Sequence, residues 1–167
     1  MHFFIFICCL TAFVPLMGHE LVDIRHINSR IQVAYPGQKA LAVKEVATRL
    51  SRVQQELEKD CIGLVIRSAY YPCPFDIPAG NPVCDEGDFH DRWGNYRGTG
   101  VDVTMVYLSG CPLEMESADE RLTSNVYHNR YKLEQAMMRQ GFVPSPNNWW
   151  HFDFKYWRNY PLITDSQ

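Results

Sequence analysis

The chain has 167 residues, which is enough for about one domain with a buried core. Its formal net charge is −3, so it has no basic footprint for a nucleic acid, and we exclude a nucleic-acid partner. Beyond the first eighteen residues no apolar run approaches the roughly 20 residues that a membrane span takes, so we expect no transmembrane helix in the mature chain.

The N-terminal stretch has the features of an export signal. The first eighteen residues contain no Lys, Arg, Asp or Glu, and Phe3 to Leu16 is almost wholly apolar. Residues 1–18 are therefore predicted to be a signal peptide, cleaved after Gly18, and residues 19–167 the mature domain. An uncleaved N-terminal anchor is the alternative, because a basic n-region is missing and Leu16 is bulky for a cleavage site. We expect a protein that is secreted or lies in the periplasm or cell envelope.

Two helices are predicted from apolar residues that recur at three- and four-residue spacing. The first runs from Ala40 to about Lys59, and the second from about Asn125 to Gln140. Gly141 follows at the place where a helix often ends in a left-handed glycine. Before the first helix, Glu20 to Tyr35 alternates only weakly and suggests an edge strand or an extended arm.

Short strands are predicted around these helices, at 64–66, 101–107, 142–143 and within 148–156. Between the first two of these strands, residues 73–93 form a long irregular loop rich in Pro and Gly. The fold class is therefore α+β, with a small, mostly antiparallel sheet packed against two main helices.

Four cysteines lie in the predicted mature chain, namely Cys61, Cys73, Cys84 and Cys111. An even number in an exported chain favours disulfides, for which three pairings exist. Cys73 and Cys84 bracket the irregular loop, while Cys61 precedes one predicted strand and Cys111 follows another. The favoured pairs are therefore Cys73–Cys84 and Cys61–Cys111, and the spacings do not resemble a zinc knuckle.

The stretch WGNYRGTGVDVTMVY, residues 93–107, is a glycine-rich loop that runs into a β-branched strand. Strict alternation places Asp102 and Thr104 on one face of this strand and the apolar residues on the other. A carboxylate at a strand start, beside glycines that let backbone approach closely, is suited to be a metal ligand. The alternative is that Asp102 only caps the loop through backbone N–H groups.

A second polar strand face lies near the C-terminus, in NWWHFDFKY at 148–156, where His151 and Asp153 point to the same side. A lone histidine in such a strand is more often a core or hydrogen-bonded residue than a ligand. Together with Asp102 it forms half of a plausible zinc site, because zinc accepts His nitrogen and Asp oxygen together. Trp149 and Trp150 are interpreted as core and pocket wall.

Several segments together resemble the D-alanyl-D-alanine dipeptidases, a family of zinc metallopeptidases. RGTGVDVTM (97–105) is similar to the family's HxRGxAxDLTL segment, and NWWHF (148–152) to EWWHY/F. VDIRH (22–26) is similar to DLRYA, GLVIRSAYYP (63–72) to GLLIxDAYRP, and the spacing over 129–142 to NRxxLxxxMxxxGF. The matches cover nearly all the mature chain in one register.

The resemblance implies the zinc D-Ala-D-Ala peptidase fold and hydrolysis of a dipeptide. In the family two histidines and one aspartate hold zinc, a glutamate is the general base, and an arginine stabilises the oxyanion. Asp102 matches the ligand aspartate and His151 the second ligand histidine. The first ligand histidine is Asn95 here, the base is Asn148, and the arginine is Tyr71. An amide is a weak zinc ligand and cannot accept the proton of a bound water, and Tyr71 carries no charge.

Three departures at three different catalytic roles predict an exported pseudoenzyme that keeps the fold but has impaired catalysis, with zinc either retained or lost. Its pocket, including Trp149 and Trp150, would retain affinity for a D-Ala-type dipeptide or a peptidoglycan stem peptide. The alternative is an active zinc dipeptidase or carboxypeptidase in which His90 or Asp153 substitutes for a missing group. A third interpretation, an interaction module unrelated to peptides, would bind neither zinc nor D-Ala-D-Ala.

Overall fold

The structure is a computed structural model that describes residues 20–72, 93–117 and 122–163. The predicted signal peptide, His90, and the predicted Cys73–Cys84 pair lie outside the described residues. Within these three ranges, no helix is long and apolar enough to cross a membrane.

Seven strands and four α-helices make up the described chain. In order they are β1 (Leu21–Asp23), α1 (Ile24–Ile27), β2 (Gln32–Val33), β3 (Leu41–Val43), α2 (Lys44–Leu57), β4 (Ile62–Ser68), α3 (Trp93–Tyr96), β5 (Gly100–Tyr107), α4 (Ser124–Arg139), β6 (Phe142–Pro144) and β7 (His151–Phe154). Short 3₁₀ turns occupy Glu58–Asp60 and Trp157–Asn159.

The main sheet has five strands in the order β2-β4-β5-β7-β6. β2 runs parallel to β4, and every other neighbouring pair in this sheet is antiparallel. β1 and β3 form a separate antiparallel pair. The predicted α+β class, with a mostly antiparallel sheet and two main helices (α2 and α4), is confirmed.

Alternation along the strands gives the sheet one apolar face and one more polar face. On β5, Val101, Val103 and Met105 are buried, whereas Asp102 and Thr104 are partly exposed. The buried face packs against the apolar sides of both long helices, which include the fully buried residues Leu50, Val53, Leu133 and Met137. The opposite face of the sheet carries Asp102, and it is the face on which the candidate site lies.

The first long helix begins later than predicted. Its expected N-terminal part, Leu41–Val43, is strand β3, which pairs with β1 in the register Leu21↔Val43 to Asp23↔Leu41. The Val43 N–H also donates to the Gly98 carbonyl at 2.9 Å. Pairing with distant residues therefore overrides a local helical pattern at this point.

Two other predicted elements need smaller corrections. The segment from Glu20 to Tyr35 is not one strand, because it contains β1, the short α1 and β2; β2 is the expected edge strand of the main sheet. In the C-terminal segment only His151–Phe154 is a strand, and Trp149 and Trp150 lie in a turn. The helix-ending role of Gly141 is confirmed: it follows α4 with φ +85°.

The predicted Cys61–Cys111 bridge is not present, because both cysteines are free and exposed. Their backbones do meet as expected. The Leu108 N–H donates to the Cys61 carbonyl at 2.9 Å, and the Tyr107 N–H donates to the Cys111 carbonyl at 3.2 Å. Cys61 ends a 3₁₀ turn in the left-handed conformation, with φ +58°, directly before β4.

Candidate functional site

The register of two antiparallel strands brings Asp102 and His151 together. Asp102 on β5 is paired with His151 on β7, and Gly100 is paired with Asp153. Paired residues point to the same face of a sheet, so both carboxylates and the imidazole share its open side. Asp102 Oδ1 lies 2.7 Å from His151 Nδ1, which is a hydrogen-bond distance.

His151 lies between carboxylates on both edges of its ring. Its side chain is 3 % exposed, and its Nε2 atom is 3.6 Å from Asp153 Oδ1. Burial disfavours the charged imidazole, but the hydrogen bond to Asp102 and the interaction with Asp153 outweigh it and raise the pKa of His151 to about 9. The ring is therefore protonated at neutral pH in this arrangement.

Asn95 enters the same cluster from α3. It is 1 % exposed, and its Nδ2 donates to the Ala69 carbonyl at 2.7 Å. Its Oδ1 and Asp153 Oδ1 each lie 2.8 Å from the place where a Cβ on Gly100 would be. A Cβ on Gly94 would collide with Asp153 Oδ1, so the two glycines permit this close approach.

Three buried atoms of this cluster have no hydrogen-bond partner in the structure: Asn95 Oδ1, His151 Nε2 and Asp153 Oδ1. Buried polar atoms are normally satisfied, and those that are not tend to mark functional or ion sites. Asp153 Oδ1 faces the ring nitrogen opposite to Asp102, and Asn95 Oδ1 lies near Asp153 Oδ1 beside Gly100.

Tyr71 and Asn148 contact members of the cluster or the residues next to them. The Tyr71 ring packs edge-on against Tyr96, with centroids 5.2 Å apart, and Tyr96 is the neighbour of Asn95 in α3. The Asn148 carbonyl accepts from the His151 N–H at 2.9 Å, and the Asn148 N–H donates to Ser145 Oγ at 3.3 Å. The five positions given by the resemblance therefore lie in one region of the structure: Tyr71, Asn95, Asp102, Asn148 and His151.

The two tryptophans before His151 are stacking surfaces for arginines, which the sequence analysis missed. Arg67 Cζ lies 5.6 Å from the centre of the Trp150 ring, and Arg130 Cζ lies 4.4 Å from that of Trp149. The only sequence signal was the place of Arg67 on the open face of β4. Trp149 also packs against the core, as interpreted, while its predicted contact with a ligand stays a prediction.

One concave region borders the cluster, and a second lies on the same face of the sheet. A cavity of about 520 Å³ is lined by His151 and Asp153 together with the 143–147 turn and residues after β7. A more open groove of about 680 Å³ runs along the same sheet face past Thr104 and Arg67, between residues 32–35 and 112–116. Both volumes lie in the range of small-ligand sites.

The described residues do not fit the three-ligand zinc site that the resemblance implies. Ligand atoms about 2.1 Å from a tetrahedral zinc lie roughly 3.4 Å apart. Asp102 Oδ1 and His151 Nδ1 are 2.7 Å apart and hydrogen-bonded instead. The third position offers only the Asn95 amide, and among the described residues no three His, Cys, Asp or Glu side chains are grouped to hold a metal ion.

The fold and site thus define a small α+β protein in which a buried histidine lies between two partly buried aspartates on the open face of the sheet. The chain is 26 % identical, over 183 residues, to the D-alanyl-D-alanine dipeptidase of Escherichia coli (strain K12). The similarity covers 94 % of this chain and 89 % of that protein. No family model matches the chain. The protein is a distant relative of the D-alanyl-D-alanine dipeptidases.

Proposed function

We propose that this chain is an exported peptide-binding protein derived from a D-alanyl-D-alanine dipeptidase, with impaired catalysis. Its ligand class is a short peptide ending in D-Ala, of the kind found in peptidoglycan stem peptides. The distant relation to a dipeptidase supports the ligand class. The apolar N-terminal stretch, residues 1–18, supports export.

The proposal rests on the hydrogen bond between the side chains of Asp102 and His151. A hydrolytic zinc site needs metal ligands, a general base and a donor where negative charge develops. Here the two retained ligand positions are hydrogen-bonded to each other, and an amide stands at the third. At the positions that the resemblance gives to the base and the oxyanion donor stand Asn148 and Tyr71. A concave sheet face remains, with cavities of a size that suits a small ligand.

Three measurements on the purified mature chain test the proposal: zinc content, hydrolysis of D-Ala-D-Ala, and calorimetric binding of D-Ala-D-Ala. We expect no stoichiometric zinc, no turnover and measurable binding. A matched L-Ala-L-Ala titration controls for nonspecific association and should bind at least about tenfold more weakly, which corresponds to about 1.4 kcal/mol. A chain that binds neither dipeptide would support the third interpretation, an interaction module unrelated to peptides.

A second candidate, an active zinc peptidase with substitute ligands, is favoured by one observation at Asp153. His151 Nε2 and Asp153 Oδ1 are 3.6 Å apart, too far for a good hydrogen bond but close to the separation of two zinc ligands. Asp102 on the other ring nitrogen would then orient the imidazole, as carboxylates commonly do for metal-bound histidines.

Asp153→Asn separates the two candidates. If the second is right, the wild type purifies with zinc and Asp153→Asn loses it, whereas Asp102→Asn weakens zinc binding by about 10- to 100-fold. If the first is right, zinc is absent from all three proteins. His90, the other substitute that the sequence offers, lies outside the described residues and would be tested in the same way.

A further inference from the structure

A small cluster of charges lies on the open sheet face, one strand away from Asp102. It consists of Arg67, Arg130 and Glu116, with Trp149 and Trp150 beneath the two arginines, and we call it the arginine cluster. Arg67 is the residue at which the pairing of β4 with β5 shifts register, between Ile66 and Ser68. Such bulges re-aim a side chain and are common next to functional sites.

Both arginines have contacts besides those with Glu116. Arg67 lies over Trp150, while Arg130 lies over Trp149 and donates through Nε to the Met115 carbonyl at 2.8 Å. The two indoles are themselves packed edge-on, with centroids 5.6 Å apart. Stacked guanidinium groups lose little further freedom when they bind an anion, so this pair is pre-organised for a carboxylate.

The chain's own Glu116 provides that carboxylate in the structure. Its Oε1 accepts from Arg67 Nη1 at 3.0 Å, and its Oε2 lies 3.9 Å from Arg130 Nη2. Glu116 is 66 % exposed, and exposed ion pairs contribute roughly 0–1 kcal/mol because water screens them. A ligand carboxylate can therefore displace Glu116 at small cost.

The groove is lined by residues of this cluster and lies on the sheet face that carries Asp102. Arg67 and Thr104 both line it, Thr104 is on the same strand face as Asp102, and Trp150 directly precedes His151. Arg67 lies beside Asp102 on the neighbouring strand, because Ile66 and Ser68 pair with Val103 and Asp102. Neighbouring strands are about 4.8 Å apart, so a peptide whose carboxylate is held by Arg67 passes close to Asp102.

We propose that Arg67 recognises the free C-terminal carboxylate of a peptide bound along this groove, and that Glu116 occupies the same subsite when no peptide is bound. The inference rests on the proposed peptide-binding function and names the group that the site reads. Arg130 is a positioning residue in this scheme, because it anchors the segment that carries Glu116 through the Met115 carbonyl.

The test compares D-Ala-D-Ala with its C-terminal amide by calorimetry. The wild type should bind the free acid about tenfold more tightly than the amide, as expected for one charge-assisted hydrogen bond at a partly exposed site. Arg67→Gln should reduce affinity for the acid to the level of the amide and leave the amide unaffected. Arg67→Lys should restore part of the preference, which a purely structural role of Arg67 would not predict.

The substitution Glu116→Gln tests whether the Glu116 carboxylate competes with the peptide carboxylate for Arg67. Removing it should tighten binding of the acid by about 2- to 5-fold and leave the amide unchanged. Glu114→Gln is the matched control: Glu114 also lines the groove and makes the same change in charge, but no ion pair between its carboxylate and either arginine occurs in the described structure. If both variants raise the affinity for the acid equally, the cause is the change in net charge of the groove, and the proposed role of Glu116 is wrong.

Failure of this inference can be told apart from failure of the proposed function. If the wild type binds acid and amide equally, and Arg67→Gln changes neither, the carboxylate subsite is wrong while peptide binding stands. If the wild type binds neither, the peptide-binding function fails and this subsite fails with it. Thermal unfolding of each variant checks that loss of binding is not loss of fold.

Discussion

At the scale of single residues, the imidazole of His151 lies between the carboxylates of Asp102 and Asp153. Asp102 contacts one ring nitrogen at 2.7 Å, and Asp153 faces the other at 3.6 Å. Because two partly buried carboxylates repel each other, a protonated ring between them is electrostatically favourable. The metal-free fold is thus stabilised by a proton on His151.

This arrangement predicts a specific pH dependence of stability in the presence of a chelator. The folded pKa of His151, about 9, is above the unfolded value near 6.5, so the proton stabilises the fold fully below about pH 6.5. The stabilisation is lost as the pH rises through about 9, and its full size is on the order of 3 kcal/mol. Urea unfolding at pH 6, 7.5 and 9.5 should show this decline.

Asp102→Asn identifies the source of that decline. It should lower the free energy of unfolding at pH 6 and flatten its dependence on pH, because the main group that holds the proton is gone. His128→Gln, at an exposed histidine of α4, should run parallel to the wild type. A wild type with constant stability from pH 6.5 to 9.5 would contradict a protonated His151.

At the scale of elements, α2 is joined to the sheet by a buried polar residue. Gln54 is fully buried, and its Oε1 accepts from the Leu64 N–H of β4 at 2.7 Å. β2 is only two residues long and pairs with Val65 and Ile66, so it does not cover Leu64. The Gln54 Nε2 donates in turn to Glu58 Oε1 at 2.8 Å. The glutamine side chain therefore takes the place of a missing strand partner.

Gln54→Met should therefore destabilise the protein by about 1–3 kcal/mol, because it leaves the buried Leu64 N–H without a partner while nearly preserving volume. Gln55→Met is the matched control on the exposed side of the same helix, and should change stability by no more than about 0.5 kcal/mol. Both values come from urea unfolding at one pH. Equal stability of the two variants would show that the Gln54 hydrogen bond contributes nothing.

The elements also show what a sequence pattern can and cannot predict. Alternation on β5 and β7 correctly predicted which side chains share a face, because a period of two is a local property. β3 was predicted as helix, because its strand character comes from pairing with β1 and from the Gly98 carbonyl, both far away in the chain. Gln54 was missed for the same reason: its partner belongs to another element.

At the scale of the whole molecule, the candidate site is assembled from four separate parts of the chain. The resemblance predicted the contact between Asp102 and His151, and the antiparallel register of β5 with β7 accounts for it. The arginine cluster was not predictable, because its residues come from β4, α4 and the segment after β5. Stacking of an arginine on a tryptophan from another element leaves no local pattern in the sequence. The resemblance implies that Asn95, Asn148 and Tyr71 stand at positions where the dipeptidases have a ligand histidine, a general base and an arginine.

Whether the chain keeps a dipeptidase scaffold can be tested by introducing the family's ligand histidine, general base and arginine one after another. Asn95→His should raise zinc affinity, because an imidazole replaces an amide beside Asp102 and His151. It should give little turnover while no general base is present. Adding Asn148→Glu supplies that base, which typically contributes about 100- to 10,000-fold, and adding Tyr71→Arg supplies positive charge where the oxyanion develops.

The measurement is D-Ala-D-Ala hydrolysis by the wild type and the single, double and triple variants, with zinc added and zinc content determined for each. Asn147→Glu, at the exposed neighbour of Asn148, is the control for the added charge. We expect an inactive wild type and a weakly active triple variant, because Asn95 lies in tight contact with Gly100 and the new imidazole must displace its surroundings. Strong activity of the wild type would mean that the three departures are not losses and would favour Asp153 or His90 as a substitute ligand. A folded, zinc-loaded triple variant without activity would mean that the groove binds a different ligand. The arginine cluster would then be the first candidate for the residues that select it.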